Sequence, residues 1–175
     1  MSLPKTPEPA KLIIGIFMKD KRLFPGVTEK LVMRFGGIDM VSPWFAFDFT
    51  DYYEFEMGTP LFRRILVFKT LIQQEAMAGI KLTTNAIERD DLNKNGRRVN
   101  IDPGYLLRER FVLATGKNFA HRIFIGEGIY AELTLIYQKG AFQKLPWTYP
   151  DYGSESILNY LMKVRDKYVD DLKRR

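Results

Sequence analysis

Apolar and polar residues recur with two different periods along the chain, and each change of period marks a predicted element. Lys11 to Met18 is a short apolar run without helical spacing, which is typical of a buried strand. After Pro25, apolar residues recur at helical spacing on one face, namely Val27, Leu31 and Phe35. The chain is therefore predicted to form a strand and then a helix.

Alternation of apolar and polar residues returns in the next segments and predicts three strands, at 44–49, 52–57 and 63–72. Residues 73–93 form the longest helical candidate, because their apolar positions follow a spacing of three to four. Residues 97–105 contain Asp-Pro-Gly, a favoured turn sequence, and are predicted to be a loop or an edge strand.

Three further strands follow in close succession, at 106–114, 119–125 and 129–137, and their short connections predict an antiparallel meander. The segment 141–153 contains two prolines and is predicted to be a surface loop. Ser154 is expected to cap a final helix that carries an apolar stripe.

Together these elements predict an α+β fold with a largely antiparallel sheet. The predicted order is β-α-β-β-β-α, then the three-stranded meander and a C-terminal helix, with the helices mainly on one face of the sheet. Three prolines within residues 1–10 indicate a flexible N-terminal lead-in. Residues 11–175 show neither a domain boundary nor a strong repeat, so they are predicted to form a single α+β domain.

The composition narrows the class of protein. Hydrophobic residues make up 46% of the chain and charged residues 27%, which is typical of a globular fold. Cysteine is absent, which excludes a disulfide scaffold, a zinc finger, a thiolate nucleophile and an iron–sulfur cluster. No apolar run is long enough for a transmembrane helix, and the start lacks the apolar stretch of a signal peptide. We therefore expect a soluble, cytoplasmic protein without a membrane partner.

Charge is distributed unevenly around the formal net charge of +6. The segment 35–62 holds five carboxylates and no Lys or Arg, whereas the segment 93–124 holds seven Lys or Arg residues and two carboxylates. One interpretation is that these two segments pair with each other in the fold. The other is that the basic segment binds phosphate.

The familiar phosphate-binding loops are absent. The chain has one Gly-Lys pair, Gly116-Lys117, but Phe111 stands where a P-loop needs its first glycine and Asn118 where it needs Ser or Thr. The Gly-x-Gly at 126–128 lies in a predicted hairpin turn and not at a helix start, so it is not a dinucleotide-binding fingerprint. A nucleophile elbow of the form Gly-x-Ser-x-Gly is also missing.

The hairpin predicted around residues 126–128 concentrates polar chemistry. A three-residue loop there places Arg122 opposite Glu132 as a cross-strand ion pair and turns His121 to the other face. His121 is the side chain suited to proton transfer near neutral pH, so His121 and Glu132 are the candidate catalytic residues if the protein is an enzyme. The alternative is a histidine that simply packs in the core. Lys117, in the preceding turn, could bind an anion together with His121.

Four carboxylates lie within nine residues: Asp48, Asp51, Glu54 and Glu56. Alternation places Glu54 and Glu56 side by side, and with Asp48 they are the candidate metal ligands, because hard divalent cations prefer carboxylate oxygens. A divalent cation is accordingly the candidate cofactor. The alternative is an acidic edge that faces solvent or pairs with nearby basic residues.

Two further groups are candidate ligand-binding residues. Asn85 and Glu88 lie three positions apart on one helix face and could contribute to a cleft, although an ordinary polar helix face has the same pattern. Trp147 and Tyr149 lie beside prolines and could stack on a base or cover a pocket. The alternative for these aromatic residues is a loop that plugs the core.

Several segments carry a resemblance to a known family: DYYEFEMG, KLTTNAIE, NIDPGYL, VLATGKNFAHRIFIGEGIYAELTL and LPWTYPDY. In these segments, and in the same order along nearly the whole chain, the protein resembles an uncharacterised prokaryotic domain-of-unknown-function family whose members are often labelled "GTP-binding protein". The resemblance implies no assigned catalytic residue. It indicates that these segments form the surface that the family shares.

The leading hypothesis is a binding module for a phosphorylated ligand, either a nucleotide or RNA. Lys117, His121 and Arg122 would contact the phosphate, and Trp147 or Tyr149 would stack on the base. One alternative is a metal-dependent enzyme that uses the carboxylate cluster, with His121 as its acid–base group. Another is a structural or assembly protein without a small-molecule site. The sequence does not predict an oligomeric state.

One geometric observation separates these hypotheses. If Glu56, Asn85, His121 and Glu132 converge on one concave pocket, a ligand site or an enzyme is favoured. If they are scattered over the surface, the structural protein is favoured.

Overall fold

The computed structural model describes residues 1–93 and 96–174, and of Asn93 only the backbone. Lys94, which belongs to the basic segment of the sequence, lies outside the described residues. The helices are α1 (Phe24–Phe35), α2 (Glu54–Met57), α3 (Met77–Asp90) and α4 (Glu155–Lys173). The strands are β1 (Ala10–Met18), β2 (Ile38–Val41), β3 (Phe45–Phe47), β4 (Leu61–Ile72), β5 (Leu92–Asn93), β6 (Gly96–Arg97), β7 (Val99–Leu106), β8 (Arg110–Thr115), β9 (Arg122–Gly126), β10 (Ile129–Gln138) and β11 (Ala141–Lys144).

A single large antiparallel sheet dominates the described part of the chain. Its order is β11-β10-β8-β7-β1-β4-β2, with β3 paired to β4 and β9 paired to β10. The two short strands β5 and β6 pair with each other as a separate hairpin. The predicted α+β class with a largely antiparallel sheet is therefore confirmed.

Strand β1 lies at the centre of the sheet and is buried at all nine positions, so both faces of the sheet need a cover. On one face Leu12 and Ile14 pack with apolar residues of α1 and α3. On the other face Ile13 packs against α4, through residues such as Leu161 and Val164. The expectation of helices mainly on one face thus holds for α1 and α3, while α4, the longest helix, covers the opposite face.

Two predicted elements differ from the structure. Residues 52–57 were expected to be a strand, but they form a turn and the short helix α2, and Phe55 at its centre is fully exposed. The alternation there did not mark a buried face. Residues 97–105 were expected to be a loop or an edge strand, but most of them form β7, which pairs with β1 along its whole length.

The predicted meander is also wrong in its strand order. Strand β10 lies between β8 and β9, and β8 and β9 do not pair with each other. The β9–β10 hairpin is tight, but Gly126 pairs with Ile129, so its loop has two residues, Glu127 and Gly128, and not the expected three. A register shift between Ile129 and Tyr130 restores the predicted pairing, and Arg122 faces Glu132. The connection before the hairpin, residues 116–121, is too long for a tight hairpin and takes β9 to the far edge of β10.

A membrane-spanning helix needs both sufficient length and apolar character. No helix within residues 1–93 and 96–174 meets both requirements. Before β1, residues 1–9 contain no helix or strand.

Candidate functional site

The sheet forks between β7 and β8, and the fork positions the candidate site. The two strands pair from Leu106 and Phe111 as far as Gly104 and Leu113. Beyond that point β7 continues along β1 and β8 continues along β10. A cavity of about 450 Å³ lies at the fork and is lined by side chains from both strands. This volume is in the range of small-molecule sites.

Helix α3 supplies the hydrogen bonds that β7 loses at the fork. In an antiparallel strand the N–H and C=O of one residue point to the same side. The Ile101 N–H donates to Glu88 Oε1 at 2.6 Å, and the Ile101 carbonyl accepts from Lys81 Nζ at 2.8 Å. Pro103 falls on the same side two residues later and has no N–H to leave unpaired. The open edge of β7 is thus satisfied without β8.

The side chains of Lys81 and Glu88 are both buried, and this burial changes the pKa of the Glu88 carboxyl group. Burial raises the pKa of Glu88, and the charge of Lys81 and the hydrogen bond from the Ile101 N–H only partly oppose this rise. Asn85, one turn from each of them, lines the cavity. The helix therefore seals the strand edge and also contributes polar groups to the cavity wall.

Charged side chains of both signs line the cavity. The cationic ones are Arg63, Lys81, Arg97, Lys117 and Arg122. The carboxylates are Glu88, Asp102 and Glu132. The rings of Phe47, Tyr53 and Tyr149 complete much of the wall.

A chain of polar contacts runs along β7. Arg97 binds both carboxylate oxygens of Glu56 at 2.8 Å, and its Nη1 donates to Asn100 Oδ1 at 2.8 Å. Asn100 Nδ2 then donates to Asp102 Oδ1 at 2.8 Å. Arg63 Nη2 donates to Asp102 Oδ2 at 3.2 Å. The hydrogen bonds from Arg97 hold the pKa of Glu56 below its ordinary value.

Arg63 lies at the inner end of this chain, 2% exposed, in a box of aromatic rings. Its guanidinium carbon is 5.1 Å from the ring centroid of Phe17, 4.9 Å from that of Phe47 and 4.6 Å from that of Tyr152. Its Nε lies 2.9 Å from Asp151 Oδ2. Burial raises the pKa of Asp151 although the charge of Arg63 opposes the rise. The rings and carboxylates fix the direction in which Arg63 meets Asp102.

Lys117 and Arg122 line the cavity from the other arm of the fork, the turn after β8 and the start of β9. Lys117 is exposed, and its Nζ donates to the Tyr52 hydroxyl at 3.1 Å. Arg122 Nε donates to Glu132 Oε2 at 2.8 Å, and its Nη1 donates to the Lys117 carbonyl at 2.9 Å. His121 Nε2 lies 3.2 Å from the same Glu132 oxygen. Arg122 therefore holds the turn that presents Lys117.

A shallower groove adjoins this part of the cavity. It is lined by Phe119, His121, Arg122, Pro146, Trp147 and Tyr149, and it shares Arg122 and Tyr149 with the main cavity. The His121 and Trp147 rings stack at 5.0 Å with an angle of 9° between their planes. The Trp147 indole N–H donates to the Leu133 carbonyl at 2.7 Å.

The structure brings most of the predicted ligand residues together. Those that line the main cavity are Asn85, Glu88, Lys117, Arg122, Glu132 and Tyr149. His121 and Trp147 line the adjoining groove. His121 and Arg122 were expected on opposite faces, yet both reach Glu132, because β9 begins only at Arg122 and His121 precedes the strand.

The predicted metal ligands are not gathered in the same way. Asp48 and Glu54 are exposed and line neither cavity, and Glu56 is bound by Arg97. Within residues 1–93 and 96–174, no group of three or more His, Cys, Asp and Glu side chains is placed to share a metal ion.

Sequence reasoning missed the part of the cavity at β7. Arg63 is not among the predicted site residues, although strand alternation places it in phase with the buried Leu61 and Ile65. An arginine in that phase is a signal of a buried polar site. Asn100 and Asp102 have the two-residue spacing of one strand face, but the Asp-Pro-Gly sequence favoured a turn.

Comparison with known proteins places the chain in a family. No curated protein and no solved structure matches it. A family model described as "Domain of unknown function (DUF4416)" matches residues 8–168. That range includes every residue that lines the main cavity and the adjoining groove. The resemblance to a family of unknown function is thereby confirmed, and the chain belongs to the DUF4416 family.

Proposed function

We propose that the protein binds a small phosphorylated molecule in the main cavity, with the phosphate at Lys117 and Arg122. The observation that carries the proposal is the convergence of five cationic side chains, against three carboxylates, on one cavity. Cationic side chains in a partly enclosed site are the usual partners of phosphate oxygens.

Lys117 is the cation best placed to receive the phosphate. Its side chain is exposed, and its ammonium contacts the neutral Tyr52 hydroxyl and lies 4.5 Å from the centroid of the Tyr52 ring. Exchanging the phenol for a phosphate oxygen replaces a neutral acceptor by an anionic one and breaks no ion pair within the described residues. Arg122 lies beside it, although its charge is already shared with Glu132.

The geometry favours a small molecule over RNA. The lining residues come from α3, from four or more strands and from the loops around Tyr53 and Tyr149, and they enclose a volume of about 450 Å³. Binding to single-stranded RNA uses an extended basic groove along which several nucleotides lie. A site of this volume instead accepts a ligand of about mononucleotide size or smaller.

Isothermal titration calorimetry tests the proposal with ATP, GTP, ribose 5-phosphate, inorganic phosphate and a short single-stranded RNA. We expect at least one of the small phosphorylated molecules to bind, with an affinity that falls as salt rises. Lys117→Ala should weaken that binding by about tenfold, because it removes a charge-assisted hydrogen bond. Lys163→Ala is the matched control, since Lys163 is an exposed lysine of α4 outside both cavities.

Three results would contradict the proposal. The first is the absence of binding by every small phosphorylated molecule at low salt. The second is tighter binding of RNA than of any mononucleotide, with equal losses in the two lysine variants. The third is an unchanged affinity in Lys117→Ala.

A further inference from the structure

Resting on the function proposed above, we propose that Asp102 is a specificity-determining residue and that the ligand is a polyhydroxylated phosphate, such as a sugar phosphate. The two arms of the fork supply chemically different groups of lining residues, which we call the two ends of the cavity. Lys117 and Arg122 form the cationic end, on the turn after β8 and at the start of β9. Asp102 and Asn100 form the other end, on β7, and Asn85 of α3 also lines the cavity.

Asp102 is the most accessible carboxylate of the cavity. Its side chain is 28% exposed, compared with 8% for Glu88 and 6% for Glu132. Glu88 is engaged by the Ile101 N–H, and Glu132 by Arg122 and His121. Asp102 is therefore the carboxylate that a ligand can reach.

The position of the Asp102 carboxylate is set by its neighbours. Asn100 Nδ2 donates to one oxygen at 2.8 Å, and Arg63 Nη2 donates to the other at 3.2 Å. Arg63 is itself held by aromatic rings and by Asp151. Each carboxylate oxygen can accept more than one hydrogen bond, so the group keeps acceptor capacity for a ligand. An acceptor group that its neighbours already fix in position loses little conformational freedom when a ligand binds.

The negative charge of Asp102 disfavours a phosphate at this end of the cavity and favours ligand groups that donate hydrogen bonds. The two cations here are already paired, Arg63 with Asp102 and Asp151, and Arg97 with Glu56. A phosphate beside Asp102 would meet a carboxylate of the same sign. Hydroxyl groups fit instead, because each can donate to the carboxylate and also accept from a side-chain amide such as Asn100 or Asn85. A ligand that spans both ends thus needs a phosphate and several hydroxyls.

The test compares two ligands that share the phosphate and differ in the hydroxyls, ribose 5-phosphate and butyl phosphate. By calorimetry, wild-type protein should bind ribose 5-phosphate about tenfold more tightly or better. Asp102→Asn should reduce this preference to about threefold or less by weakening ribose 5-phosphate. It should not weaken butyl phosphate, because that ligand has no sugar hydroxyl to donate to the carboxylate. Asp166→Asn, on the exposed side of α4, is the matched control for the lost charge.

Each result decides between the proposals. Equal binding of the two ligands by wild-type protein, or an equal loss of both in Asp102→Asn, overturns the specificity role while the phosphate site stands. Failure of both ligands together with every other small phosphorylated molecule overturns the phosphate site and this inference with it. A similar weakening of both ligands in Lys117→Ala, with their affinity ratio unchanged, supports the division into two ends.

A second variant keeps the test decisive if Asp102→Asn does not fold. Asn85 lies between Lys81 and Glu88 on α3, and those two side chains bond Ile101, the residue before Asp102. Asn85→Ala should narrow the preference for ribose 5-phosphate in the same direction. An unchanged preference in this variant would count against the polar end. Mononucleotides complete the series, because a preference for AMP or GMP over ribose 5-phosphate would identify the sugar as part of a nucleotide.

Discussion

Gly15, in the middle of the apolar strand β1, makes room for the buried polar groups behind the cavity. A Cβ atom added at this position would lie 2.5 Å from the Tyr152 hydroxyl oxygen and 3.2 Å from Arg63 Nη1. Glycine inside a strand often marks such a close approach. The residue is therefore needed for the packing of Tyr152 and Arg63 and not for a turn.

Gly15→Ala is expected to destabilise the protein by about 1–3 kcal/mol, because the new methyl group forces the Tyr152 ring or the Arg63 side chain to move. Urea unfolding monitored by circular dichroism measures the change. Gly26→Ala in α1 is the matched control, since nothing lies within 4 Å of a Cβ atom there. It should leave stability unchanged or raise it slightly. Equal effects of the two substitutions would show that Tyr152 does not occupy this position.

At the scale of elements, the fork in the sheet depends on side chains that act as strand partners. The Ile101 N–H is satisfied by Glu88 because β8 has separated from β7 at that point. A buried N–H without an acceptor costs free energy comparable to a lost hydrogen bond. Glu88 thus has a structural role, as the acceptor for the Ile101 N–H, that its position on a polar helix face did not predict.

Glu88→Ala should lower the free energy of unfolding by about 1–3 kcal/mol, since it leaves the Ile101 N–H unpaired. Glu88→Gln keeps an acceptor oxygen and should lose much less. Amide hydrogen exchange of Ile101 supplies the direct readout, and it should speed up in Glu88→Ala only. Similar exchange in the two variants would mean that this hydrogen bond does not protect the strand edge.

Local patterns were sufficient for some elements and not for others. Strand β10 and helices α1, α3 and α4 follow periodicities that the chain displays within one segment, and β1 coincides with a continuous apolar run. Strand β7 was predicted only as a loop or an edge strand, because its position beside β1 depends on a partner some 90 residues away along the chain, while Pro103 favoured a turn locally. The far-edge pairing of β9 likewise follows from the whole sheet and not from its own sequence.

In the candidate site, too, some features follow from local sequence and others depend on distant parts of the chain. The pair Arg122–Glu132 was predicted from a three-residue loop, and it forms because a register shift between Ile129 and Tyr130 compensates for the shorter loop that the hairpin has. Asp102 was not, because its role depends on Arg63 of another strand. Ser154 does take the N-cap position of α4, but its side chain makes no capping hydrogen bond, so the expected stabilisation by that cap is not supported.

At the scale of the whole molecule, a buried lysine joins three parts of the described fold. Lys11 of β1 is fully buried, and its Nζ lies 2.6 Å from Asp39 of β2 and 2.6 Å from Asp171 of α4. Lys167 of α4 contacts the same two carboxylates. The four charges therefore tie the C-terminal helix to the centre and the edge of the sheet.

The titration of these carboxylates sets the sign of the pH dependence. Burial alone would raise the pKa values of Asp39 and Asp171, but the hydrogen bonds from Lys11 and Lys167 outweigh it and lower both. A carboxyl group whose folded pKa lies below its unfolded pKa stabilises the fold above the unfolded pKa. That contribution is complete above the ordinary value of 3.8 and is lost as the pH falls further, through the folded pKa values.

Lys11→Met should therefore destabilise the protein by about 3 kcal/mol at neutral pH, because it leaves two half-buried carboxylates without their main partner. The difference from wild-type protein should shrink as the pH falls below 3.8, where wild-type protein loses the stabilisation that the variant never had. Urea unfolding of both proteins between pH 7 and pH 3 measures this difference. Lys163→Met, on the exposed side of α4, controls for the lost charge. A difference that stays constant over this range would show that the ion pairs of Lys11 do not hold α4 to the sheet.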